Sequence, residues 1–134
     1  ANFLSITKII VSYIRIRKKG SIIGFGSISG YLGRDLNTFY ASSKRALESF
    51  FESIAFKKIN KQIKVQFYIL GYLDTNLSFG RKLFLPKGSV KKLSTIVYNN
   101  KNEIFAKYYY PKWWFIIAIF LKIIPLKLIK SYFK

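Results

Sequence analysis

The 134-residue sequence contains no cysteine, no histidine and no methionine. Without cysteine there is no disulfide framework, no thiolate nucleophile and no zinc knuckle. Without histidine a Ser-His-Asp triad is excluded, together with most transition-metal sites. Acids are scarce as well: Asp35, Glu48, Glu52, Asp74 and Glu103 are the five carboxylates. Glu48 and Glu52 stand one helical turn apart beside Arg45, which reads as a solvated helix face and not as a glycosidase-like carboxylate pair. The length suits one domain with a modest core and leaves no room for two. A chain that opens with Ala1 and has no methionine does not look like the product of a start codon, so an incomplete sequence is expected.

What is present is positive charge: 24 Lys and Arg against the five acids give a net charge of +19. Such a chain draws polyanions, whether nucleic acid or an anionic bilayer. The lysines are scattered apart from Arg15 to Lys19 and accompany abundant Ile, Phe, Asn and Tyr, so a compositional bias acting on tolerant surfaces accounts for them equally well. No recognised nucleic-acid motif occurs, and the aromatics fall on apolar faces and do not alternate with lysine along a strand. Nucleic acid is therefore not an expected partner; a basic nucleic-acid binder is the weaker of the non-enzymatic alternatives.

Periodicity predicts alternating elements. Leu4, Ile6, Ile9, Ile10, Tyr13 and Ile14 recur at helical spacing over 3–17, with basic residues in the last turn complementing the helix dipole. The apolar run "SIIGFGS" from Ser21 to Ser27 suits a buried strand. A glycine-bearing loop with Gly30 and Gly33 follows. A second helix from about Thr38 to Lys58 has Leu47, Phe50, Phe51, Ile54 and Ala55 on one side, with Thr38 or Asn37 as its cap. Lys64 to Leu70 reads as a strand, Ser89 to Asn99 as a short helix capped by Ser89, and Glu103 to Tyr109 as a last strand before Pro111. Helix and strand in alternation imply an α/β domain with parallel pairing.

Inside this frame lies "GSISGYLGRDLNTFYASSK". Ten tyrosines in a lysine-rich chain make roughly one or two Tyr-x-x-x-Lys pairs by accident, and Tyr108 with Lys112 is such a second pair. Context distinguishes Tyr40 and Lys44. Ser27 ends a buried strand thirteen residues before Tyr40, at the carboxyl edge where α/β folds place their ligands. Lys44 lies one helical turn beyond Tyr40 on the same face, and a cation beside a phenol favours the phenolate. A hydroxyl to hold a carbonyl oxygen and a proton source beside it are the parts that carbonyl reduction needs.

Ser27, Gly30, Tyr40 and Lys44, with "ASSKRALESF" around the pair, resemble the catalytic half of the short-chain dehydrogenases/reductases. The resemblance covers about residues 1–110, read as the catalytic half of a Rossmann-type reductase domain. It implies an NAD(P)-dependent oxidoreductase that interconverts carbonyl and alcohol. Tyr40 would transfer the proton, Ser27 would bind the substrate oxygen, and Lys44 would assist Tyr40 and hydrogen-bond the nicotinamide ribose. Asn2, 25 residues before Ser27, matches the family's catalytic Asn and would hold a water. Gly71 and Thr75 match the cofactor-contacting segment after the next strand, with Leu70 where the family has proline.

The family's Gly-rich dinucleotide turn has no counterpart; Gly24-x-Gly26 leads into the serine loop and no helix N-terminus follows at the right distance. The expected fold is thus a partial Rossmann-type three-layer domain with a parallel sheet, its amino-terminal dinucleotide-binding half missing, and the piece alone is expected to be inactive. The choice between NAD and NADP is not readable.

Residues 111–134 form an aromatic and basic carboxyl-terminal segment. Its apolar run from Trp113 to Leu121 is shorter than the about 20 residues of a bilayer span. Lys122, Lys127, Lys130 and Lys134 share one side of a helix, opposite a wide apolar face with two tryptophans. Two readings stand: an interfacial helix on an anionic membrane, or a helix packed on the sheet or on a second subunit. The segment loosely resembles the tails of reductases acting on polyprenyl-phosphate sugars, which would make the small carbonyl or alcohol substrate lipid-linked. The expected location is cytoplasmic, with the tail at the inner face of a membrane in the first reading. A homodimer through the two long helices is compatible with the stripes Ile6, Ile10, Ile14 and Leu47, Phe51, Ile54, which are equally compatible with ordinary core packing. The non-enzymatic alternative is a membrane-surface or interaction module.

Overall fold

A computed structural model describes residues 3–33, 37–56, 62–76, 85–125 and 128. The order is α1 (Phe3–Arg17), β1 (Gly20–Ser27), a 3-10 turn (Ile28–Tyr31), α2 (Thr38–Phe56), β2 (Ile63–Leu70), α3 (Val90–Asn99), a second 3-10 turn (Asn100–Asn102), β3 (Phe105–Tyr110) and α4 (Trp114–Ile123). The predicted alternation is borne out, with boundaries within two residues wherever they are described. α1 stops where Lys18 adopts a left-handed φ of 54° and its N–H returns to the Ile14 carbonyl at 3.1 Å, a common way to close a helix.

The strands form one parallel sheet in the order β1-β2-β3, so each helix after α1 bridges parallel neighbours or follows the last one. β2 is central and buried on both faces: Val65, Phe67 and Ile69 are apolar on one, while on the other the buried Gln66 donates to the Asn100 carbonyl and accepts from the Tyr68 hydroxyl, as a polar group without water must. Ile63, Val65, Phe67 and Ile69 meet Ile14 of α1 and Phe51 and Ile54 of α2. Tyr68 points the other way and packs with Leu93 of α3 and with Tyr110. The result is the three-layer, partial Rossmann-type α/β arrangement expected from the sequence. β1 lies at the margin of the sheet, and its Ile23 and Phe25 are 40% and 41% exposed.

Two glycines in β1 have a steric reason. A Cβ on Gly24 would lie 2.4 Å from the Phe51 ring, and one on Gly26 would lie 2.6 Å from the Phe67 ring. Hydrogen at these positions lets aromatic rings from α2 and β2 rest against the strand backbone. The α3 cap is also as predicted: the Ser89 side chain accepts from the Lys92 N–H.

Glu48 departs from the expected solvated face. It is 4% exposed, and Lys107 of β3 donates to it at 2.7 Å. It occupies the same helical stripe as Ala41 and Phe51, seven and three residues away, so helix geometry turns it inward. The counter-charge comes from a distant strand. Glu52, which Lys107 also reaches at 2.6 Å, lies nearer the solvent.

One side of α4 packs on the protein, as the second reading of the carboxyl-terminal segment expects. Trp114 and Ala118, one turn apart, are buried against Ile28. The opposite side of α4 leaves Phe115, Ile116, Ile119, Phe120 and Ile123 exposed. Only one of the two tryptophans is thereby fully withdrawn into the protein. Among the described residues no helix is long and apolar enough to cross a membrane.

Candidate functional site at the carboxyl edge of the sheet

In-register pairing sets the site. Ser27, the last residue of β1, pairs with Leu70, the last residue of β2, and Leu70 pairs with Tyr110 at the end of β3. All three strands therefore finish on one line. Ser27 is extended (φ −146°, ψ 146°) and caps the following 3-10 turn, its Oγ accepting the Ser29 N–H at 3.2 Å. A hydroxyl is one donor and two acceptors, so this bond orients the oxygen and leaves its proton for an outside acceptor.

Tyr40 sits in the first turn of α2 and is half exposed. Lys44 follows on the next turn, its ammonium 5.6 Å from the Tyr40 ring centroid. The same ammonium donates to the Phe25 carbonyl at 3.1 Å, two residues before Ser27. One cation thus touches the end of β1 and lies beside the phenol.

Gly71 continues the same edge, its N–H donating to the Tyr110 carbonyl at 2.9 Å. A Cβ here would fall 1.9 Å from Nε1 of Trp114, so the indole occupies the space any other residue would need. Beyond it, Tyr72 and Asp74 exchange backbone bonds with Gly88 at 2.7 and 2.9 Å, bracing the loop that exposes Thr75. Asn2 lies outside the described residues. The structure thus brings Tyr40, Lys44 and the end of β1 together, and puts Gly71 and Thr75 after the neighbouring strand.

Sequence reading missed a second layer. Tyr31, last in the turn after Ser27, donates to Glu48 Oε1 at 2.6 Å and lies 3.1 Å from the Tyr109 hydroxyl. Burial pushes the Tyr31 phenol up, and its bonds to Glu48 and Tyr109 push it further, so it stays a proton-bearing donor. Burial opposes the charge on Lys107, but its bonds to Glu48 and Glu52 and their negative charges outweigh that and hold its proton affinity above the usual lysine range. Only the inward phase of Glu48 on the helix signalled this network in the sequence. Trp114 carried no signal, since its place against Gly71 depends on where α4 docks. Among the described residues no group of His, Cys, Asp and Glu could hold a metal.

The geometry has a counterpart in known proteins. A family model described as short chain dehydrogenase matches residues 2–82. The chain belongs to the short-chain dehydrogenase/reductase family. Among similar proteins are a hydroxysteroid 11-beta-dehydrogenase 1-like protein B of Xenopus laevis, 30% identical over 119 residues, 84% of this chain and 41% of that protein. A very-long-chain 3-oxoacyl-CoA reductase of Podospora anserina is 31% identical over 115 residues, 83% of this chain and 34% of its own length. A 3-oxoacyl-(acyl-carrier-protein) reductase of Buchnera aphidicola is 34% identical over 95 residues, 69% of this chain and 39% of its own. The match thus spans well under half the length of each of these relatives.

Short-chain dehydrogenases/reductases work with a nicotinamide dinucleotide, and the donor set at the edge suits one end of it. An ammonium has three donors; Lys44 spends one on Phe25 and keeps two for hydroxyls such as those of a ribose. The half-exposed Tyr40 phenol and the exposed Thr75 stand at the same edge. Among the described residues no glycine-rich strand-to-helix turn is present to cradle a pyrophosphate.

Proposed function

We propose that the protein is an NAD(P)-dependent oxidoreductase that interconverts a carbonyl and an alcohol, with Tyr40 as the general acid and base. The observation that carries this reading is the double engagement of Lys44, bonded to the Phe25 carbonyl and set against the Tyr40 ring. The bound nicotinamide supplies or accepts the hydride. In the reducing direction the Ser27 hydroxyl donates to the substrate oxygen and holds it. Tyr40 passes its phenolic proton to that oxygen as the carbon is reduced. The Lys44 ammonium favours the phenolate left behind and offers its remaining N–H donors to the ribose. Gly71 and Thr75 would hold the nicotinamide side of the dinucleotide, and the water-holding role that the family gives to an Asn would fall to Asn2, which lies outside the described residues. In the oxidising direction the phenolate takes the proton back.

Replacing Tyr40 with Phe in the full-length protein tests this. Removing a positioned acid is expected to lower turnover by about 10²- to 10⁴-fold, with the circular dichroism spectrum unchanged. Turnover within a few fold of the parent would leave Tyr40 without the role and favour an interaction module.

A second reading concerns the partner. We propose that α4 rests on an anionic membrane surface, supported by the exposed row Ile116, Ile119, Phe120 and Ile123 on a chain of net charge +19. A water-facing helix side without acids, on a strongly basic protein, suits an interface of apolar chains below negative headgroups. It also fits a lipid-linked substrate, delivered beside the turn that α4 covers. Flotation with anionic and with neutral vesicles decides: recovery in the soluble fraction with both removes the membrane from the reading. Of the stripes expected to serve a homodimer, Ile10, Ile14, Leu47, Phe51 and Ile54 pack in the core, so a dimer would rest on Ile6, Ile9, Tyr13 and Ile16, exposed on α1, and a monomeric mass by light scattering would exclude it.

A further inference from the structure

We infer that Tyr31 and Glu48 are positioning residues: their hydrogen bond is the second of two clamps that hold Ser27 in register with the helix carrying Tyr40 and Lys44. This rests on the roles proposed above for those three residues and adds what keeps them together.

β1 ends at Ser27 and leads into the 3-10 turn Ile28–Tyr31, and the two clamps tie the two sides of that junction to α2. On the strand side, the Lys44 ammonium holds the Phe25 carbonyl at 3.1 Å. On the turn side, the Tyr31 hydroxyl reaches Glu48 Oε1 at 2.6 Å. Lys44 and Glu48 are four residues apart, one above the other on α2, and Phe25 and Tyr31 lie two residues before and four after Ser27. Only residues 26–30 span the interval. Within it Ser27 Oγ accepts the Ser29 N–H, and Gly30 runs so close to α2 that a Cβ would approach the Arg45 nitrogen to 3.3 Å.

The second clamp is itself anchored. Lys107 of β3 holds Glu48 at 2.7 Å and Arg45 stands 3.8 Å from its other oxygen. The Tyr31 ring has the Arg45 guanidinium 5.3 Å and the Lys122 ammonium of α4 4.6 Å from its centroid. Strand β3, helix α2 and helix α4 therefore converge on one phenol at the end of the serine turn. An apolar pair of similar volume would fill this interior as well, because burying ions is costly. A short phenol-to-carboxylate bond adds direction that apolar packing lacks. The spacing around Ser27 is where direction matters, since a 1 Å error in a reacting group costs about a hundredfold in rate.

The full-length protein is compared with Tyr31→Phe, Glu48→Gln and Glu48→Leu, following kcat and KM, and amide hydrogen exchange at Ser29 against the amides of β2. Tyr31→Phe keeps the ring and loses only the donor, so kcat is expected to fall about tenfold to a hundredfold while KM for the dinucleotide moves less than about twofold. Ser29 exchange accelerates with β2 protection unchanged. Glu48→Gln still accepts a hydrogen bond and recovers part of the rate that Glu48→Leu loses. Unchanged kcat in Tyr31→Phe overturns the inference, as does a rate loss in which Ser29 exchanges no faster than before. If the parent proves insensitive to Tyr40→Phe, the catalytic reading fails by itself, and Ser29 exchange still decides whether the clamp exists.

Discussion

Lys107 is pulled in two directions, by a burial that disfavours its charge and by two carboxylates that favour it, and the carboxylates prevail. A cation whose proton is held more tightly in the folded state stabilises that state fully below the unfolded value. The contribution disappears as pH rises through the folded value, above the ordinary 10.5. Urea midpoints are therefore expected to fall more steeply in the parent than in Lys107→Met between about pH 10 and about pH 12. At neutral pH the same variant leaves Glu48 buried with fewer partners, and a loss of about 3 kcal/mol is expected by chemical denaturation. Glu48 also marks the limit of sequence reading for single residues. Beside Arg45 and Glu52 it reads as part of a solvated face although it shares the phase of Ala41 and Phe51, because the partner that lets it turn inward lies 59 positions away in the chain and no local pattern announces such a contact. Tyr40 and Lys44 were legible because helix geometry alone brings residues four apart together.

At the level of elements, α2 approaches the sheet closely only because β1 carries glycine where rings must lie. Gly24→Ala puts a methyl 2.4 Å from the Phe51 ring, and about 1–3 kcal/mol of destabilisation is expected, read from the thermal midpoint. Gly71→Ala is a harsher change, since the methyl meets the indole of a large buried side chain. Ser89→Ala removes the oxygen that accepts the Lys92 N–H at the start of α3, and a loss of about 1 kcal/mol is expected in the same assay. The elements themselves were readable from their patterns: a short run rich in apolar and aromatic residues in β2, and three-to-four spacing in the helices. What periodicity could not give was the docking of α4. Trp114 and Ala118 define a stripe, but so do Ile116, Ile119 and Ile123, and a helix apolar on nearly all sides does not declare which side turns inward.

For the whole molecule, parallel pairing follows from strands joined by helices and was legible, whereas the order β1-β2-β3 is not contained in that pattern. Where its excess charge matters was not legible either, because lysines placed by composition and lysines placed by function look alike. Salt separates them. If α4 meets anionic lipid as proposed, vesicle binding is expected to weaken on raising ionic strength from about 0.05 to about 0.5 M, as the screening length contracts from roughly 14 to roughly 4 Å. An apolar contact alone would keep its strength. The marginal position of β1 has a consequence of another kind. Its outer flank offers a row of amide and carbonyl groups beside the bare Ile23 and Phe25, a template on which any extended peptide can continue the ladder. Whatever strand comes to lie there, from this protein or another, takes its register from β1.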